Sequence, residues 1–177
     1  MRSLSLLTAL LVSTAALAQT PYAGMQTREI KALSDSQIGD LQAGRGMSLA
    51  LAAELNGYPG PLHVLELADK LGLSAEQRGN VQQLFDSMKA GAVSLGAKLI
   101  EQEAELDRQF SGRTIAPESL KSLTAAIAAT QGQLRETHLK YHLSTAALLS
   151  PQQIQQYAQL RGYAGHAAPA GHHQRQH

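Results

Sequence analysis

The sequence predicts an all-α protein: a long antiparallel helical hairpin with short N-terminal helices packed at its base and a short C-terminal helix. Three observations carry this expectation. Aromatic residues make up only 4% of the 177-residue chain, while Ala, Leu and Gln are plentiful, a composition that suits helices and gives a sheet little to build on. The pattern Leu-Ser-x-x-Gln occurs three times, at Leu33–Gln37, Leu73–Gln77 and Leu149–Gln153. Between the second and third copies lie two long stretches whose apolar residues recur at intervals of three, four and seven, the spacing of one helix face.

The chain opens with Met1-Arg2, an apolar run from Leu4 to Ala16, and Ala16-Leu17-Ala18. Together these fit a cleavable secretory signal peptide over residues 1–18. The run is shorter than the roughly 20 residues a membrane-spanning helix requires. Its removal takes Arg2 away and leaves a formally neutral chain, expected in the periplasm. Residues 19–33 contain Pro21 and Gly24 without periodicity and read as a flexible lead-in. Residues 34–162 read as a single helical-hairpin domain.

Each Leu-Ser-x-x-Gln copy is a helix entrance. The Ser hydroxyl accepts from the amide three residues on, and the Gln side chain reaches back to the Ser amide. The first copy opens a helix from Ser34 to Ala43. Two more short helices are expected over Gly46 to Leu55 and Pro61 to Leu71, separated by the turn residues Gly57-Tyr58-Pro59-Gly60. The second copy opens a helix from Ala75 to about Phe110 with an apolar face of Val81, Leu84, Phe85, Met88, Ala92, Leu95, Leu99 and Leu106. Gly79, Gly91 and Gly96 weaken it locally, each by about 1 kcal/mol relative to Ala.

Ser111 to Pro117 is a tight connection. Leu120, Ile127, Leu134, Tyr141 and Leu148 then recur every seven residues along a return helix, Glu118 to Leu148. So short a loop makes the two long helices antiparallel neighbours. Leu139, Leu143 and Ala147 form a second apolar set, which the short N-terminal helices are expected to cover. A last helix, Gln152 to Arg161, ends at Gly162. Residues 163–177 are poor in bulky apolar side chains and read as a disordered, His-rich tail.

Composition excludes several function classes. The chain has no Cys, so it has neither a disulfide scaffold nor a cysteine nucleophile. Fifteen basic residues against 14 acidic ones give no basic footprint for nucleic acid. Gly44-Arg45-Gly46 lacks the Lys-Ser/Thr of a phosphate-binding loop, and Gly46-Met47-Ser48 lacks the second Gly of a nucleophile elbow. The acidic run Glu101 to Asp107 spreads around several helix faces and reads as a solvated surface. An enzyme is not expected.

The chemistry that remains lies in the histidines. His138 and His142 are four apart, so both imidazoles project from one face of the return helix, a spacing suited to joint ligation of a transition-metal ion. With the turn centred near Thr114, residues i and about 228 − i stand level across the hairpin. His138 then faces about Ala90, His142 faces about Asp86, and Met88 falls between them. A carboxylate and a thioether are available at that height, suiting harder and softer ions respectively. His63 and Glu66, three apart on the helix expected to pack against this base, complete a candidate cluster of His63, Glu66, His138 and His142. The alternative is that His138 and His142 are hydrogen-bonded boundary residues beside the apolar stripe. In the tail, His166, His172, His173 and His177 either capture divalent metal loosely or simply titrate near pH 6.5.

The copies at Leu73-Ser74-Ala75-Glu76-Gln77 and Leu149-Ser150-Pro151-Gln152-Gln153, placed at the two ends of one hairpin, resemble the LTxxQ-motif periplasmic family. That family includes the Spy/CpxP chaperones and the CnrX- and ZraP-type heavy-metal sensors. The resemblance covers about residues 61–162, with Ser where the family pattern has Thr. It implies a periplasmic stress or heavy-metal tolerance accessory protein, commonly a homodimer, that senses or buffers a divalent transition metal (Zn, Cu, Ni or Co). In the metal-sensing branch a His-x-x-x-His/Met pair precedes the second motif, where His138 and His142 stand, and the His-rich tail is similar to that of zinc-binding soluble members. It also implies partners: a membrane sensor or regulatory protein, or unfolded client proteins. The alternative function is an ATP-independent periplasmic holdase of the Spy/CpxP type, whose usual basic concave surface a neutral chain would lack.

Overall fold

The computed structural model describes residues 22–163. Within them the order is a short 3-10 turn at Met25–Thr27, then α1 (Asp35–Gln42), α2 (Leu51–Glu54), α3 (Pro61–Glu66), α4 (Ala75–Ser111), α5 (Pro117–Leu148) and α6 (Pro151–Leu160). The described residues contain no strand, and the all-α expectation holds. Helices α4 and α5 pack along each other as the antiparallel hairpin. The α1 helix lies on α4, α3 lies on both long helices, and α2 lies on α5.

All three Leu-Ser-x-x-Gln copies form complete capping boxes. Ser34, Ser74 and Ser150 accept from the amides of Gln37, Gln77 and Gln153, and each Gln side chain takes the amide of its Ser. The second and third boxes also meet. Gln77 Nε2 donates to Gln153 Oε1 at 2.9 Å, and Gln153 Nε2 donates to Gln77 Oε1 at 3.1 Å. The remaining amide protons go to the carbonyls of Leu148 and Leu71. Two helix caps thus become a clasp joining the starts of α4 and α6.

A clasp of this kind has a measurable signature. Gln77→Ala and Gln153→Ala should each lower stability by about 1–2 kcal/mol, through a lost cap and a stranded partner. The double variant should cost less than the sum, with a coupling of about 0.5 kcal/mol or more in urea unfolding. Strict additivity would show that the two amides act only on their own helices.

The core is divided. One cluster, beside α1, gathers Ile30, Leu33, Leu41, Ala92, Leu99, Ile127 and Leu134. A second, at the base, gathers Val64, Leu71, Val81, Leu149 and Tyr157. The level between them on the hairpin is occupied by Met88 on α4 and by His138 and His142 on α5.

Several local expectations change. The end of the segment read as a flexible lead-in is packed on the hairpin: Ile30 and Leu33 are buried in the first cluster, and Lys31 pairs with Asp107 at 3.3 Å. Gly46 to Ala50 is a turn, not the start of a helix, so α2 is a single turn. Helix α3 stops at Glu66, and turns carry the chain from there to the cap at Ser74. Leu143 is 57% exposed and Ala147 is exposed as well, so the N-terminal helices do not cover that set. The turns flanking α2 instead reach the neighbouring face of α5 at His138 and His142, where Gly46 and Gly60 lie against the two rings, while the buried Thr137 packs on Gly91 of α4. Thr145 can be buried on α5 because its hydroxyl donates to the Tyr141 carbonyl at 2.7 Å.

Candidate functional site

The gap between the two cores is a cavity of about 610 Å³, within the size range of ligand and cofactor sites. Its walls come from the α1–α2 turn, from α2 and α3, from Phe85, Met88 and Lys89 on α4, from His138 and His142 on α5, and from Arg161 and Tyr163 after α6. The hairpin register that brings the two long helices level here is the one the turn dictates: a Cβ on Gly91 would lie 3.4 Å from the Thr137 methyl.

Of the residues singled out in the sequence, His63, His138 and His142 line this one cavity together with Met88. Glu66 does not line it. Its carboxylate accepts from His63 Nδ1 at 2.8 Å, outside the cavity wall. That contact turns His63 so that Nδ1 carries the proton and Nε2 the lone pair, the way a carboxylate orients a ligating imidazole. Asp86, level with His142, is exposed and bonded to Gln82. His166, His172, His173 and His177 lie outside the described residues.

His142 is fixed in the same manner from the other side. Its Nδ1 donates to the Tyr58 carbonyl at 2.7 Å, which leaves Nε2 as the lone-pair nitrogen. The ring lies against Gly60 so closely that a Cβ there would be 2.8 Å from Nε2 and Cε1. Glycine is needed at this turn to admit the imidazole. His138 is 2% exposed, and its Nε2 is buried without a hydrogen-bond partner. Its Nδ1 edge faces Gly46, another wall residue, whose Cβ would lie 3.9 Å away. Either neutral tautomer of His138 leaves Nε2 unsatisfied, a cost of about 1–3 kcal/mol that native interiors rarely carry without a reason.

Sequence reasoning passed over Glu54. This carboxylate is 8% exposed at the cavity wall. Its Oε1 accepts from the hydroxyls of Tyr157 and Tyr163, and its Oε2 accepts from the Gly60 amide at 3.2 Å. Oε2 also lies 3.7 Å from His142 Nδ1, and Arg161 Nε lies 3.6 Å from Oε1. Burial first, and then the Glu54 carboxylate, push the Tyr157 phenol far above its ordinary range, so it remains a donor. No signal near Glu54 announces this role, because its phenolic partners lie over 100 residues away.

Burial, and secondarily the neighbouring His142, hold His138 below the ordinary imidazole value of 6.5. In metal-free protein the unfolded chain takes up a proton that the folded chain refuses. The stability is therefore present above pH 6.5 and is lost as the pH falls toward the depressed folded value. The melting temperature of chelator-treated protein should drop as pH is lowered from 7 to about 5, and His138→Gln should drop less. Parallel pH profiles for the two proteins would contradict this assignment.

Among the described residues, no three His, Asp or Glu side chains converge so as to hold a metal ion, and no helix is long and apolar enough to cross a membrane. No protein family, curated protein or solved structure matches the chain.

Proposed function

We propose that this protein is an exported accessory protein that binds a transition-metal ion in its basal cavity and so senses or buffers that metal. One observation carries the reading: two imidazoles one helical turn apart are buried in the wall of a single cavity, one with its lone-pair nitrogen set by a backbone carbonyl and the other with an unsatisfied ring nitrogen. The placement of the Leu-Ser-x-x-Gln motifs and their resemblance to the LTxxQ group support it. A client-holding chaperone has no use for imidazoles only 2% and 8% exposed, which places the holdase reading second.

The cavity touches every element that could respond. Ion capture at α5 would draw in the α1–α2 turn and α3 from the opposite walls, and would favour the conformer in which these are docked. A partner that reads the docked N-terminal helices would then read the metal.

The test is calorimetric titration of the full chain with each of Zn, Cu, Ni and Co, using a background in which His166, His172, His173 and His177 are replaced by Asn. At least one ion should bind with one-to-one stoichiometry, and His138→Ala/His142→Ala should abolish the heat. Binding that survives in the double variant would remove the site.

A further inference from the structure

The donor atoms in the cavity wall distinguish one ion from the others. Among the described residues the sole acid in the wall, Glu54, has both oxygens engaged by Tyr157, Tyr163 and the Gly60 amide. Glu66 is outside and holds His63. Arg45, Lys89 and Arg161 also line the cavity, and Lys89 has no ion-pair partner among the described residues. Among the described residues His63 does not converge with His138 and His142 to make a three-donor group, so an oxygen-and-nitrogen cage for a divalent ion is incomplete. Arg45 is paired with Asp40 and Arg161 with Glu54, so Lys89 is the uncompensated charge, and it repels a divalent ion twice as strongly as a monovalent one, since Coulomb energy scales with charge.

The wall does contain sulfur. The chain has four Met and no Cys, and two of the four, Met47 and Met88, line this one cavity. Met88 is 7% exposed and stands on α4 between the levels of His138 and His142. Met47 follows Gly46, the residue lying against His138 Nδ1. We infer that the cavity is a site for monovalent copper, held between the imidazoles of His138 and His142 and the thioethers of Met47 and Met88. This rests on the metal-binding reading above and specifies its ion. Thioether sulfur is a soft donor that selects cuprous copper over zinc, nickel and cobalt, and imidazole accepts all four.

The backbone at Met47 supports the assignment independently. Met47 and Ser48 have φ of 40° and 64°, two consecutive non-glycine residues in the left-handed region. Each costs about 1–3 kcal/mol and persists only where the surroundings impose it, as they do at ligand-binding sites. Here the turn holds Met47 against the first core cluster while keeping it in the cavity wall.

The experiment uses the full chain with the four tail histidines replaced by Asn. Cuprous copper is supplied under ascorbate and competed against a colorimetric copper(I) chelator, zinc is titrated in parallel, and X-ray absorption is recorded at the copper edge. The expected result is tight one-to-one copper(I) binding with sulfur among the nearest scatterers. Met47→Leu/Met88→Leu, which conserves volume and should cost under about 1.5 kcal/mol per site, should weaken copper(I) by about tenfold or more and leave zinc within about twofold of its native affinity. An all-nitrogen and oxygen shell around copper, or unchanged copper(I) affinity in the folded Met variant, overturns the inference while leaving the metal-binding reading in place. The absorption spectrum of the unsubstituted sites decides even if the Met variant does not fold. No binding of any ion overturns both.

Discussion

Glu54→Ala should lower the free energy of unfolding by about 3–5 kcal/mol, the largest effect expected of any polar substitution here. The loss has three parts. The Tyr157 hydroxyl, on a side chain 2% exposed, is left without an acceptor. The Gly60 amide loses its partner, which loosens the turn that seats His142. Tyr163 and Arg161, the last described residues after α6, lose their anchor to α2. Glu54→Gln keeps an acceptor oxygen of the same reach and should cost about half as much or less. Urea unfolding followed by circular dichroism measures both. A loss below about 1 kcal/mol for the Ala variant, the size expected of an exposed pair, would show that Glu54 is solvated and its phenolic partners otherwise satisfied.

Gly96→Ala and Gly79→Ala should move stability in opposite directions, although both replace a glycine inside the same helix. Sequence reasoning treats the two alike, each gaining about 1 kcal/mol from the higher helix propensity of Ala. Gly79 has open space around it, so it should deliver that gain. At Gly96 the α1 chain crosses α4 with the Leu41 carbonyl where a Cβ would sit, and the obstacle is backbone, unable to rotate aside. Forcing α1 away from α4 should cost about 1–3 kcal/mol beyond the propensity gain. Melting temperatures of the two variants, recorded side by side, test the contrast. A Gly96→Ala protein as stable as the Gly79→Ala protein would mean that α1 is not held against α4.

These two cases also mark how far the sequence could be read. Short-range chemistry was legible. The three Ser/Gln caps formed where their spacing required, the long helices ended within a residue or two of the expected places, and the tight loop set a register that brought Met88 to the two imidazoles. Long-range pairing was not legible. Glu54 reads as an ordinary solvated carboxylate because what buries it lies beyond residue 156. The buried face of α5 reads as polar because Thr130, Thr137, His138, His142 and Thr145 lie on it. The apolar set beside it, Leu139, Leu143 and Ala147, drew the packing expectation to the wrong edge. A hydropathy pattern scores each side chain by its own affinity for water and takes no account of a hydroxyl such as that of Thr145, which satisfies itself on the preceding turn. Gly46 to Ala50 failed as a helix for a related reason: nothing local records that Met47 and Ser48 are held left-handed by their tertiary surroundings.

The clasp of Gln77 and Gln153 is made of carboxamides, which neither gain nor lose protons between strongly acidic and strongly basic solution. The base of the hairpin is therefore secured by a fastening that is blind to acidity, while the chamber a few turns above it holds His138, whose burial keeps it below the ordinary imidazole value. Acidification should therefore slacken the wall around His138 without parting the two caps, leaving a scaffold still shut at its foot.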